Sequence, residues 1–141
     1  MISISVMPLR IGKEQLYSTL AEDEAFAEWY VTEFMPAHIP EFAYAISEEG
    51  KREMVTQGRR YAEQFGIRDT PSQYHFITLM WKVGPNFFEF PGFRETLRNP
   101  TLTEHEKIAR LYETSTEQAV EAIMMADDRY WYPYMLKASG S

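Results

Sequence analysis

A chain of 141 residues, 45% of them hydrophobic, suits one domain with an ordinary core and no covalent staple. The absence of cysteine excludes a disulfide framework, cysteine-ligated zinc and thiol catalysis. A net charge of −7 repels phosphate backbones and argues against a nucleic-acid partner.

Residues 1–10 read as an extended leader, because the alternation Ile2, Ser3, Ile4, Ser5, Val6 has no second strand to pair with. They lack the basic start and apolar stretch of a secretory signal. No run reaches the ~18 apolar residues of a membrane span. With the missing cysteine, this makes the cytoplasm the expected compartment.

The first helical stretch runs from about Lys13 to Met35, with Leu16, Leu20, Phe26, Trp29, Tyr30 and Phe34 at helical spacing. Asp23 is placed to cap a second piece of it, and Pro36 and Pro40 are expected to end it. Ser47 before Glu48 and Glu49 marks the next helix start, and Gly66 suits its left-handed stop. Met54, Tyr61, Ala62 and Phe65 form its apolar face. In "DTPSQYHFITLMWKVG", Thr70 before Pro71, with Gln73 three residues on, predicts a capping box. That helix is apolar almost all round, so it is expected at the centre of the molecule.

"WKVGPNFFEFPGF", residues 81–93, sets four phenylalanines among glycines and prolines. Glycine and proline say turn, whereas phenylalanine says burial. Phe87 and Phe93 flank the turns and are expected inside, leaving Phe88 or Phe90 as the exposed ring. Arg94–Arg98 predicts a short helix. From Thr101 to Met125 one long helix is expected, opened by a Thr103–Glu106 capping box. Its buried stripe would be Ile108, Leu111, Tyr112, Ser115, Ala119, Ala122, Ile123 and Ala126. Residues 127–141 form an aromatic tail in which Tyr130, Trp131, Tyr132 and Tyr134 supply four rings in five positions. The sum is an all-α chain, a single compact bundle of five to six helices with an aromatic-rich loop and tail.

Charge is unevenly spread. Residues 13–49 hold nine acidic side chains and one basic; residues 51–68 hold five basic and two acidic. Neighbouring helices can pair through these faces, or an acidic surface can steer a basic partner.

Signatures of catalysis are missing. His38, His75 and His105 fall on three different elements, with no HExxH or ExxH spacing. His105 sits among acids at a helix start and is expected in solvent; His75, on the central helix, is expected as a hydrogen-bonded core or boundary residue. The runs Glu22–Glu24 and Glu48–Glu49 suit solvated helix starts. There is no GxSxG and no glycine-rich phosphate cradle. No enzyme, cofactor or metal is expected. The remaining chemistry is aromatic: Phe88, Phe90, Tyr130, Trp131, Tyr132 and Tyr134 are the candidate partner-binding residues, because rings carry much interface energy.

From residue 60 to 112, "RYAEQFGIRDTPSQYHFITLMWKVGPNFFEF" followed by "NPTLTEHEKIARLY" resembles a group of small helical bacterial proteins encoded among type VI secretion effector clusters. The matching features are Phe65-Gly66-Ile67, the polar helix start Arg68–Gln73, the apolar "ITLMW", and Gly84, Asn86 and Phe87. The resemblance implies an accessory role beside effectors, their chaperones and spike proteins. The expected function is a non-enzymatic adaptor or co-chaperone for such an effector. A cytosolic immunity protein that neutralises a cognate toxin is the first alternative, and a small enzyme or ligand-binding domain the second. The partner would be an effector, an effector chaperone or a toxin, and a homo-oligomer is compatible with the same features.

Overall fold

The structure is a computed structural model that describes residues 17–44 and 46–133. The expected leader and Tyr134 lie outside the described residues. Among those described there are eight α-helices and no strand. We label them α1 (Asp23–Trp29), α2 (Met35–His38), α3 (Pro40–Ala43), α4 (Glu48–Gln64), α5 (Thr70–Lys82), α6 (Phe93–Leu97), α7 (Glu104–Leu111) and α8 (Thr116–Met124). The all-α bundle expected from the sequence is the fold observed.

Pro36 does not end the first helix. Between α1 and α2 the chain widens into a π-helical turn, Tyr30–Phe34, and Met35 N–H donates five residues back to the Tyr30 carbonyl. A proline clashes with the carbonyl four residues before it, and a π-turn just upstream relaxes that crowding while the axis continues. The break comes at Ile39, whose backbone leaves the helical region before Pro40 opens α3. Asp23 is the first residue of α1 rather than its cap, which is Glu22. Its carboxylate is instead taken by Arg59 and Arg60 of α4.

Helix starts follow local side-chain chemistry. Ser47 Oγ accepts from Gly50 N at 3.1 Å to open α4, and Gly66 closes the helix at φ 77°. Thr103 and Glu106 form the expected reciprocal box on α7, at 3.1 and 2.8 Å. At α5 the cap is Asp69, one residue earlier than expected. Its carboxylate accepts from the Ser72 amide and hydroxyl, each at 2.9 Å. A carboxylate with two donors displaces the threonine hydroxyl from the role, and Gln73 is freed to reach the Ile67 carbonyl at 3.1 Å.

The long helix expected over 101–125 is two. Ser115 Oγ accepts from Gln118 N at 3.2 Å and starts α8 afresh. In "ETSTE" the hydroxyls compete with the helical backbone and offer a cap instead.

The core has two clusters. One gathers Phe76, Met80, Phe87, Phe88, Phe93, Leu97, Leu111 and Trp131. The other gathers Phe26, Tyr30, Val31, Met35, Ile39, Val55 and Ile77. Helices α4 and α5 supply both, Met54 and Phe76 to the first and their neighbours Val55 and Ile77 to the second, which is why α5 is apolar over most of its circumference. Trp81 packs against each cluster. Around the other side, α7 ties down two helix ends: Lys107 Nζ donates to the Phe65 carbonyl at 2.9 Å, and Glu104 accepts from Asp69 N at 2.9 Å.

Candidate functional site

The corner after α5 is part of the core. Phe87 and Phe93 are fully buried, as expected. Of the pair Phe88 or Phe90 expected to supply an exposed ring, Phe88 is only 4% exposed. The reason is a 3-10 turn, Phe87–Glu89, that rotates Phe88 inward against Tyr61, Phe65 and Phe76. Phe90 is half-buried against the same cluster. The corner is anchored by Asn86, whose Oδ1 accepts from Asp127 N at 3.0 Å.

Trp131 also turns inward, at 5% exposure, with its ring 4.7 Å from that of Trp81. Tyr130 is half-buried beside Phe88, and its carbonyl accepts from the Tyr61 hydroxyl at 2.6 Å. Tyr132 is half-buried on the other side of that turn, in the wall of a groove. The five described candidate rings share the first core cluster: Phe88 and Trp131 lie in it, and Phe90, Tyr130 and Tyr132 pack against it. Phe88, Phe90 and Tyr130 close one part of the core, Trp131 and Tyr132 border the groove, and Tyr134 lies outside the described residues.

The groove holds about 480 Å3. Its apolar walls come from Phe42 on α3, Ile46 after it, Trp81 at the end of α5, and Ile123 on α8. Beside it, α8 presents the most unusual surface of the molecule. Of its nine residues only Ala122 is buried. Val120, Ile123, Met124 and the following Met125 are exposed, Met124 at 78%. Ile123, Tyr112, Ser115 and Ala126 belonged to the expected buried stripe and are exposed, because the chain breaks at Ser115 and does not carry one helical face through 101–125. Tyr44 and Ile46 add two more exposed apolar side chains near α3. The sequence held a signal for this face in the run "AIMM", too apolar for a helix end that packs on one alanine.

A second cleft, about 940 Å3, is acidic. Glu22, Asp23, Glu24, Glu28, Glu49 and Glu53 line it, with Arg52. Arg52 bonds Glu28 at 2.7 Å across the α1–α4 contact and lies 3.5 Å from Glu48. Both readings of the charge pattern have a counterpart here: helices pair through their opposite faces, and carboxylates are left over at the surface.

Among the described residues no group of three or more histidines and carboxylates is placed to hold an ion. His105 is exposed, with Nε2 3.1 Å from Asp69. His75 is half-buried, and its Nδ1 shares a 2.9 Å hydrogen bond with the Tyr112 hydroxyl. Burial pushes its pKa below the ordinary histidine value, helped by His38 nearby. Among the described residues no helix is long and apolar enough to cross a membrane. The chain matches no family model, no curated protein and no solved structure.

Proposed function

We propose that this chain is a non-enzymatic protein-binding module of the bacterial cytoplasm, an adaptor or co-chaperone for a type VI secretion effector. The observation that carries the binding reading is the bare apolar face of α8 beside an open groove. Contiguous exposed apolar surface rimmed by polar residues marks interaction sites far more often than it occurs idly. The assignment to effector delivery rests on the resemblance of residues 60–112. The test is affinity capture of neighbouring gene products. An adaptor binds an effector's delivery region or its chaperone, and its deletion stops secretion while the producer survives.

The acidic cleft between α1 and α4 favours a second reading, a cytosolic immunity protein whose carboxylates cover a basic toxin site. In that case the chain binds the toxin domain, and its deletion kills a cell that expresses the toxin. Failure of any effector, chaperone or toxin to co-purify sinks both readings.

A further inference from the structure

The protein-binding reading leaves open what kind of element occupies the α8 face, and the geometry points to a cationic amphipathic helix. This inference rests on that reading.

Successive residues of a helix turn by about 100°. Going round α8 from the buried Ala122, Ala119 comes first, then Ile123, then Val120 and Met124, then Glu117 and Glu121. Ile123 is both on this exposed stripe and in the wall of the groove. Apolar surface thus continues from Ile46 and Phe42, across the groove, onto α8. Val120, Ile123 and Met124 are spaced i, i+3, i+4, which builds a ridge that an opposing helix can straddle.

The rim decides the charge of the occupant. From Glu113 to Asp128 the chain has five carboxylates (Glu113, Glu117, Glu121, Asp127, Asp128) and no lysine, arginine or histidine. Asp127 is taken by Arg129 at 2.8 Å. Glu117 and Glu121 line the outer edge of the stripe, and among the described residues neither forms an ion pair. Lys82 is the one cation in the groove wall. A second copy of this chain would set acidic rim against acidic rim, and an anionic membrane would meet the same carboxylates. A helix with an apolar stripe and flanking Lys or Arg satisfies both halves of the surface.

The test uses the full chain and two designed peptides of about 18 residues, five helical turns. One is an amphipathic Leu/Lys helix, and the other has every Lys replaced by Glu. Amide NMR titration should place the Leu/Lys contact on α8, Trp81 and Ile46. Ile123→Ser/Met124→Ser should weaken it by about tenfold or more. Glu117→Lys/Glu121→Lys should do the same while gaining affinity for the Leu/Glu peptide. All four positions are solvent-exposed, so far-UV circular dichroism should be unchanged. Shifts confined to the acidic cleft, equal binding of both peptides, or no binding would overturn the proposal. So would a dimer by light scattering that the Ser variant dissolves. Capture from a bacterial lysate separates the two levels. A protein held equally by wild type and both variants leaves the binding reading standing and removes this surface; a wild-type chain that captures nothing removes the reading itself.

Discussion

Arg59 is the most committed single side chain outside the rings. It is 5% exposed, donates from Nε to Gln73 Oε1 at 2.9 Å, and lies 3.2 Å from Asp23. Its guanidinium also covers the Phe26 ring at 4.4 Å. Arg59→Met keeps the packing but strands the Gln73 acceptor and loosens Asp23. The expected loss is about 2–4 kcal/mol, read by urea denaturation. His75 gives a pH signature. Its folded pKa lies below the ordinary value of 6.5, so the unfolded chain takes up the proton first as pH falls. Stability is therefore complete above about pH 6.5 and declines as pH drops through the folded value. The side chains around it are His38, Tyr74 and Tyr112. Melting temperature should fall between pH 7 and 5, and His75→Gln should flatten that slope. The general role of these residues was legible beforehand only in part. A hydrogen-bonded core or boundary place for His75 follows from its position on α5, but its pairing with Tyr112 joins residues 37 apart in the chain.

At the scale of elements, α4 and α5 meet at Gly58. A methyl group there would sit 2.8 Å from Ile77 Cγ1 and 3.3 Å from Met80 Sδ. Glycine within a helix costs about 1 kcal/mol relative to alanine, so an exposed Gly→Ala normally stabilises. Here Ile77 is fully buried and cannot step aside. Overpacking costs about 1–3 kcal/mol, and the sign reverses: Gly58→Ala should lower the melting temperature. Helix starts were readable because they are local. Ser47 and Thr103 use donors within three residues. The misplaced cap at α5 and the unforeseen break at Ser115 were local as well. In each case neighbouring polar side chains could fill the role: at α5 the Asp69 carboxylate took it from Thr70, and in "ETSTE" the Ser115 hydroxyl capped a new helix.

At the scale of the molecule, two clusters share α4 and α5, and Trp81 touches both. Trp131 packs against Trp81 with tilted rings, from the chain's last described turn, and lines the groove. Trp131→Ala should cost about 3 kcal/mol or more. Because the clusters share helices, unfolding followed by the fluorescence of Trp29, Trp81 and Trp131 should coincide with that followed by circular dichroism. Separate transitions would show that the clusters unfold independently.

Helical class, the central place of α5 and the burial of Phe87 and Phe93 were determined by sequence alone. Each depends on periodicity or turn chemistry carried within about one helix length. The fate of Phe88, Trp131 and α8 was decided only by tertiary structure. An aromatic side chain is equally suited to a core and to an interface, so its type cannot say which way it faces. The direction was set by a 3-10 turn, by the packing of Trp131 on Trp81, and by a helix break at Ser115, after which Met124 is exposed.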